Sequence, residues 1–147
     1  MRKQAGFTLI ELITVIVVLG ILAAFAIPRF TGLESQARVA TVNGLAGNIR
    51  SGAALAHALW IAAGDSPATV TMEGNVSVAV NGSSGYPTAA SAGIDKVLQD
   101  LSGFTASGTR DFQLNAAPNS GSACKVNYAA ATSPGATPVI TTTTSGC

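Results

Sequence analysis

The chain has 147 residues, of which 10% are charged, and a formal net charge of +1. That balance implies no broad electrostatic partner, and Lys96, Arg110 and Lys125 form no basic run, so support for nucleic-acid binding is thin. The length suits one domain with an appendage.

The appendage comes first. Arg2 and Lys3 precede an apolar run, and positive charge before such a run orients it with its N-terminus in the cytoplasm. Phe7 to Ile27 holds fourteen Leu, Ile, Val or Phe residues and a single charge, Glu11. Those apolar residues favour insertion by about 4 to 8 kcal/mol, against about 3 kcal/mol for an acidic residue at a helix centre. The run therefore inserts and, being about 20 residues long, spans a bilayer. A secretory signal would end in a small-residue cleavage site after the apolar core. Ala23, Ala24 and Ala26 imitate one, but Phe25, Ile27 and Pro28 interrupt it. An ionisable group inside such a helix is a functional candidate; the alternative is a chance residue reaching the interface.

Lys3–Leu12, KQAGFTLIEL, resembles the cleavage and methylation motif of type IV pilins and their pseudopilin relatives. The likeness is close from Lys3 to Arg38, and leader length, Gly6, Phe7, Glu11 and Pro28 all fall where that family places them. It implies that residues 1–6 are a leader cut after Gly6 by a prepilin peptidase at the inner membrane. It implies that Phe7 becomes the N-methylated terminus, and that Glu11 aids assembly by pairing with a neighbouring subunit's terminal amine. An isolated amine or carboxylate is costly in an apolar filament core; pairing offsets much of that cost and sets a register.

Residues 7–28 read as the membrane and filament-core segment, and residues 29–64 as its amphipathic continuation. Val42, Leu45, Ile49, Ala53, Ala56 and Trp60 recur at three- and four-residue steps, the pattern of one buried face. One helix is predicted from about Phe7 to Ala63, bent or loosened between Gly20 and Pro28, with Gly64 and Asp65 ending it. Arg29, Glu34 and Arg38 stand at spacings that permit pairing, with solvated charge as the alternative. His57 and Trp60 read as packing residues, since no ligand-type side chains accompany them.

Residues 65–147 change character. Ala68 to Val80 predicts two strands around Glu73-Gly74-Asn75. Asn81 to Pro87 reads as loop, and Ala92 to Leu101 as a short helix. DFQLNA, CKVNYAAA and PVITTTT supply three more strands, separated by Gly, Pro, Asn and Ser. The fold class is α+β, a long helix packed on a small antiparallel sheet, which agrees with the type IV pilin fold. Cys124 and Cys147, with one distant His57, make a poor zinc site; a disulfide in an oxidising compartment is the favoured reading. Gly85–Pro87 and the ending C-x-V-x-Y…SGC further resemble pilins of the mannose-sensitive haemagglutinin type.

No catalytic constellation, phosphate loop, metal motif or cofactor signature is legible. The resemblance implies a homo-oligomeric helical filament used for surface attachment, biofilm formation and twitching motility. Implied partners are the prepilin peptidase, an inner-membrane platform with cytoplasmic ATPases acting indirectly, and host or abiotic surfaces. It also implies a route from inner-membrane precursor to extracellular pilus. A type II secretion pseudopilin and a membrane-anchored binding domain are the alternatives.

Overall fold

The computed structural model describes residues 6–108, 110–118 and 122–147, with the backbone alone for residues 27–31. The leader residues Met1 to Ala5, with Arg2 and Lys3, lie outside the described residues, as do the side chains of Pro28 and Arg29.

One helix, α1, spans Leu9–Ala62 and runs through Gly20 and Pro28. It ends where expected: Gly64 (φ +90°) and Asp65 (φ +56°) both take left-handed backbone, and Asp65 N–H donates to the Trp60 carbonyl. Glycine tolerates that conformation and aspartate is among the few other residues that do. Two compact units divide the chain, one ending at Gln36 and one covering Ala37–Cys147. In the first, no residue of Leu9–Ala26 is buried.

The second unit is the head. Its core contains the predicted face of α1, with Val42, Ile49, Ala53 and Ala56 at most 1% exposed and Leu45 and Trp60 also buried. After α1 come β1 (Thr69–Met72) and β2 (Val76–Ala79), joined at Glu73–Asn75 by a tight turn in which Gly74 (φ +75°) and Asn75 (φ +61°) take left-handed backbone. They pair antiparallel with Val70 opposite Val78. Alternation puts both of those valines into the core.

The single sheet predicted from sequence is in fact two. β1 and β2 form one; β3 (Phe104–Ser107), β4 (Asp111–Leu114), β5 (Lys125–Ala129) and β6 (Val139–Thr143) form the other, in chain order and antiparallel. β3 lies outside the predicted strands because it holds one large apolar residue, Phe104, and is flanked by Gly103 and Gly108, which read as loop. The predicted helix over Ala92–Leu101 shrinks to one turn, α2 (Ile94–Val97). Leu98 is extended, and the Asp100 carboxylate accepts both the backbone N–H (2.6 Å) and the hydroxyl (2.8 Å) of Ser102. Those local bonds compete with helix continuation.

Phe112, Val126, Tyr128 and Cys124 are fully buried beneath α1 in the same cluster as Ile94 and Val78. The Tyr128 hydroxyl donates to the Pro87 carbonyl at 2.7 Å, so the largest buried polar side chain is satisfied.

Candidate assembly site

The first turn of α1 carries the site. Gly6 and Phe7 precede the helix and are exposed, Phe7 at 88%. Thr8 is the cap residue. Its hydroxyl accepts the Glu11 backbone N–H at 3.3 Å, and the Glu11 carboxylate accepts both the Thr8 backbone N–H and the Thr8 hydroxyl at 2.8 Å. This is a reciprocal capping box, which satisfies amide donors that the first helical turn leaves without carbonyl partners. The acidic side chain also sits at the positive end of the helix dipole. Thr14 turns its hydroxyl back onto the carbonyls of Ile10 and Glu11 at 3.0 Å, so the side chains of Thr8, Glu11 and Thr14 are all locally bonded.

Thr8 was missed as a site residue from sequence, although Thr-x-x-Glu before an apolar run is the legible signature. The arrangement lowers the cost of carrying Glu11 into an apolar phase. Its carboxylate keeps hydrogen-bond partners without water. It leaves the outer face of the carboxylate open, since every described residue around it is exposed.

Gly20 lies within α1, and a Cβ added there would meet nothing within 4 Å. The other expected site residues, Cys124 and Cys147, form a disulfide at a Cα separation of 4.9 Å. It bridges the start of β5 to the end of the chain segment that follows β6. Arg38 of α1 donates to the Cys147 carbonyl at 3.0 Å, and Arg50 to the Ile140 carbonyl at 3.3 Å. Two arginines of the helix thus hold the outermost strand and its closing bridge. Nothing in the spacing of Arg38 or Arg50 signals these long-range bonds.

Across the sheet, Lys125 Nζ lies 2.6 Å from Asp111 Oδ2, and Asn127 donates to Asp111 Oδ1 at 2.7 Å. The bond from Lys125, then that from Asn127, holds the Asp111 carboxyl below its usual range. Arg110 lies 3.4 Å from Asp95 of α2. His57 stacks on Tyr86 with ring centroids 4.1 Å apart, and Trp60 donates to the Pro67 carbonyl at 3.1 Å, which fits their reading as packing residues. Among the described residues no group of His, Cys, Asp or Glu has the arrangement of a metal site.

Residues 1–27 match the family described as the prokaryotic N-terminal methylation motif. The chain is 55% identical over 54 residues to the type IV narrow pilus major component PilA5 of Thermus thermophilus, covering 37% of this chain and 47% of that protein. It is 49% identical to the type II secretion system core protein G of Pseudomonas aeruginosa, over 29% of this chain and 30% of that one. It is 44% identical to the type IV major fimbrial protein FimA of Dichelobacter nodosus, over 33% and 31%. The chain thus spans about half the length of the first of these relatives and under a third of the other two. No solved structure matches it.

Proposed function

We propose that this chain, a type IV pilin by its methylation motif and its α+β architecture, is the structural subunit of an extracellular type IV pilus. The observation that carries the reading is the pairing of a fully exposed apolar helix, Leu9–Ala26, with a capped carboxylate at its start. A surface of that extent is not stable in water. It is covered by lipid before assembly and by the same segment of neighbouring subunits afterwards.

In this reading the leader 1–6 is removed after Gly6 by the prepilin peptidase, and Phe7 is N-methylated. The segment 7–28 crosses the inner membrane with its N-terminus in the cytoplasm, loosened at Gly20 and Pro28. Residues 29–64 continue the helix, their later part packing into the head that residues 65–147 complete. The Phe7 amine, cationic near neutral pH, pairs with Glu11 of an adjacent subunit. The capping box survives cleavage because the Thr8 N–H lies beyond the cut bond. The chain acts by assembly and is not an enzyme; an inner-membrane platform driven by cytoplasmic ATPases supplies the work, and the filament attaches cells to surfaces.

A pseudopilin role shares the N-terminal motif. The Cys124–Cys147 disulfide suits an oxidising compartment in either role, and the longer match, to a type IV pilus major component, favours the pilus. The test is to compare the wild-type chain with Glu11→Ala in the producing cell. The variant is expected to enter the membrane normally and yield few or no surface filaments. Normal filament yield from Glu11→Ala would remove this reading of the residue.

A further inference from the structure

Two features of the head lie on opposite flanks of α1. With 3.6 residues per turn, Val42, Ile49, Ala53, Ala56 and Trp60 define the core-facing direction. Asn48, Ser51, Gly52 and Leu55 centre about 120° to one side of it, and Arg50 points about 90° to the other. On the first side runs a groove of about 480 Å³ between α1, the β1–β2 turn and α2. Leu55, Met72, Val97 and Leu98 form its apolar walls, and its charged lining is Glu73, Lys96 and Asp95, the last paired with Arg110. A second depression of about 420 Å³ continues it along α1 past Ser51 and Asn48. Leu55 is 52% exposed there, and Glu73 is exposed.

On the other side is the start of β6. Val139 is 59% exposed, the most of any large apolar residue in the head. β6 is an edge strand, and the stretch from Ala130 to Thr144 carries no charge. The exposed Arg50 guanidinium lies beside Val139, through its 3.3 Å bond to the Ile140 carbonyl. One flank therefore presents an apolar knob next to a cation, and the other an apolar groove next to a carboxylate.

We propose that the groove receives a second copy of this chain, with Val139 seated against Leu55, Met72 and Val97 and Arg50 facing Glu73. The groove and its continuation carry Glu73, Asp95 and Asp100 against Lys96, a balance opposite in sign to Arg50 beside the knob, and this favours that occupant over an unrelated protein. Knob and groove occupy different surfaces, so the contact is heterologous, and such a contact repeats without closing and generates a helical filament. It rests on the filament reading above and adds to it a head-to-head contact outside the apolar helix.

The test uses the full chain assembled into filaments. With Leu55→Cys and Val139→Cys combined, mild oxidation is expected to give a ladder of disulfide-linked multimers on non-reducing gels, while each single variant runs as monomer. Filaments of the double variant that stay monomeric overturn the contact and leave the filament reading intact. A wild-type chain that forms no filaments overturns both. Charge exchange supplies a second arm that does not depend on cysteines. Arg50→Glu and Glu73→Arg are each expected to lower the sedimenting fraction at least about tenfold, and the pair together to restore it to within about twofold. Because Arg50 also binds the Ile140 carbonyl, rescue by the pair is the deciding readout; a pair no better than either single variant overturns the contact.

Discussion

Thr8 and Glu11 hold each other through three hydrogen bonds, with the threonine hydroxyl both accepting from the Glu11 amide and donating to its carboxylate. This gives Glu11 a role within its own subunit as well as a proposed one toward the next. Thr8→Ala removes the hydroxyl and keeps the carboxylate. It is expected to destabilise the first turn of α1 by about 1 kcal/mol, the usual size of a lost N-cap. Amide exchange at Leu9 to Leu12 in detergent micelles measures this. Assembly is expected to fall far less in Thr8→Ala than in Glu11→Ala. Equal losses would mean that capping, and not pairing between subunits, is what assembly requires.

The Cys124–Cys147 bridge has a sequence separation of 23. In the chain-entropy account a loop of that size stabilises the head by roughly 3 kcal/mol. Replacing both cysteines by serine is expected to lower the head's unfolding free energy by about that amount in urea titrations. The loss should be concentrated in β6, whose side chains are mostly exposed and which otherwise relies on β5, Arg50 and Arg38.

Gly85 sits at φ +70°, and a Cβ there would lie 2.2 Å from Trp60 Cε3 and 2.8 Å from His57 Nδ1. Gly85→Ala combines left-handed backbone strain with overlap against two packed rings. The expected cost is about 2–4 kcal/mol, read from the same urea titrations. A loss under about 0.5 kcal/mol, the range of a surface substitution, would show that the rings move aside freely.

Stability of the head is expected to depend on pH at both ends. Asp111 has its folded-state pKa depressed by Lys125 and Asn127, so its contribution is present above the ordinary aspartate value near ~3.9 and is lost as pH falls through the lower folded value. Asp111→Asn should flatten that acid limb and cost about 1 kcal/mol at neutral pH. Tyr128 is shifted the other way, its phenol pKa raised by burial and by Tyr86. Its contribution is complete below the ordinary tyrosine value of about 10 and is lost as pH rises toward the folded value. Tyr128→Phe should flatten the alkaline limb. Thermal unfolding across pH checks both.

Residues whose role is set by nearby sequence were legible. The core face of α1 follows from the three- and four-residue recurrence of Val42 through Trp60, and the β1–β2 hairpin from alternation around Gly74. Glu11 stood out because one carboxylate in an apolar run demands a partner. What escaped depends on distant chain. Arg38 and Arg50 meet carbonyls that lie 109 and 90 residues away. The division into two sheets rests on which strands pair, and Phe104–Ser107 offers one large apolar residue between two glycines. The short extent of α2 was overestimated because Leu98 and Leu101 keep helical spacing while Asp100 binds Ser102. Thr8 was readable in principle, from Thr-x-x-Glu before the apolar run.

The proposed filament requires processing at Gly6–Phe7 and assembly outside the cell. Intact mass and N-terminal sequence of protein sheared from the surface of producing cells, set against the membrane fraction, test it most directly. The account predicts sheared protein that begins at Phe7, heavier by one methyl group and lighter by the two hydrogens of the Cys124–Cys147 disulfide. Protein that starts at Met1 and stays in the membrane would contradict it.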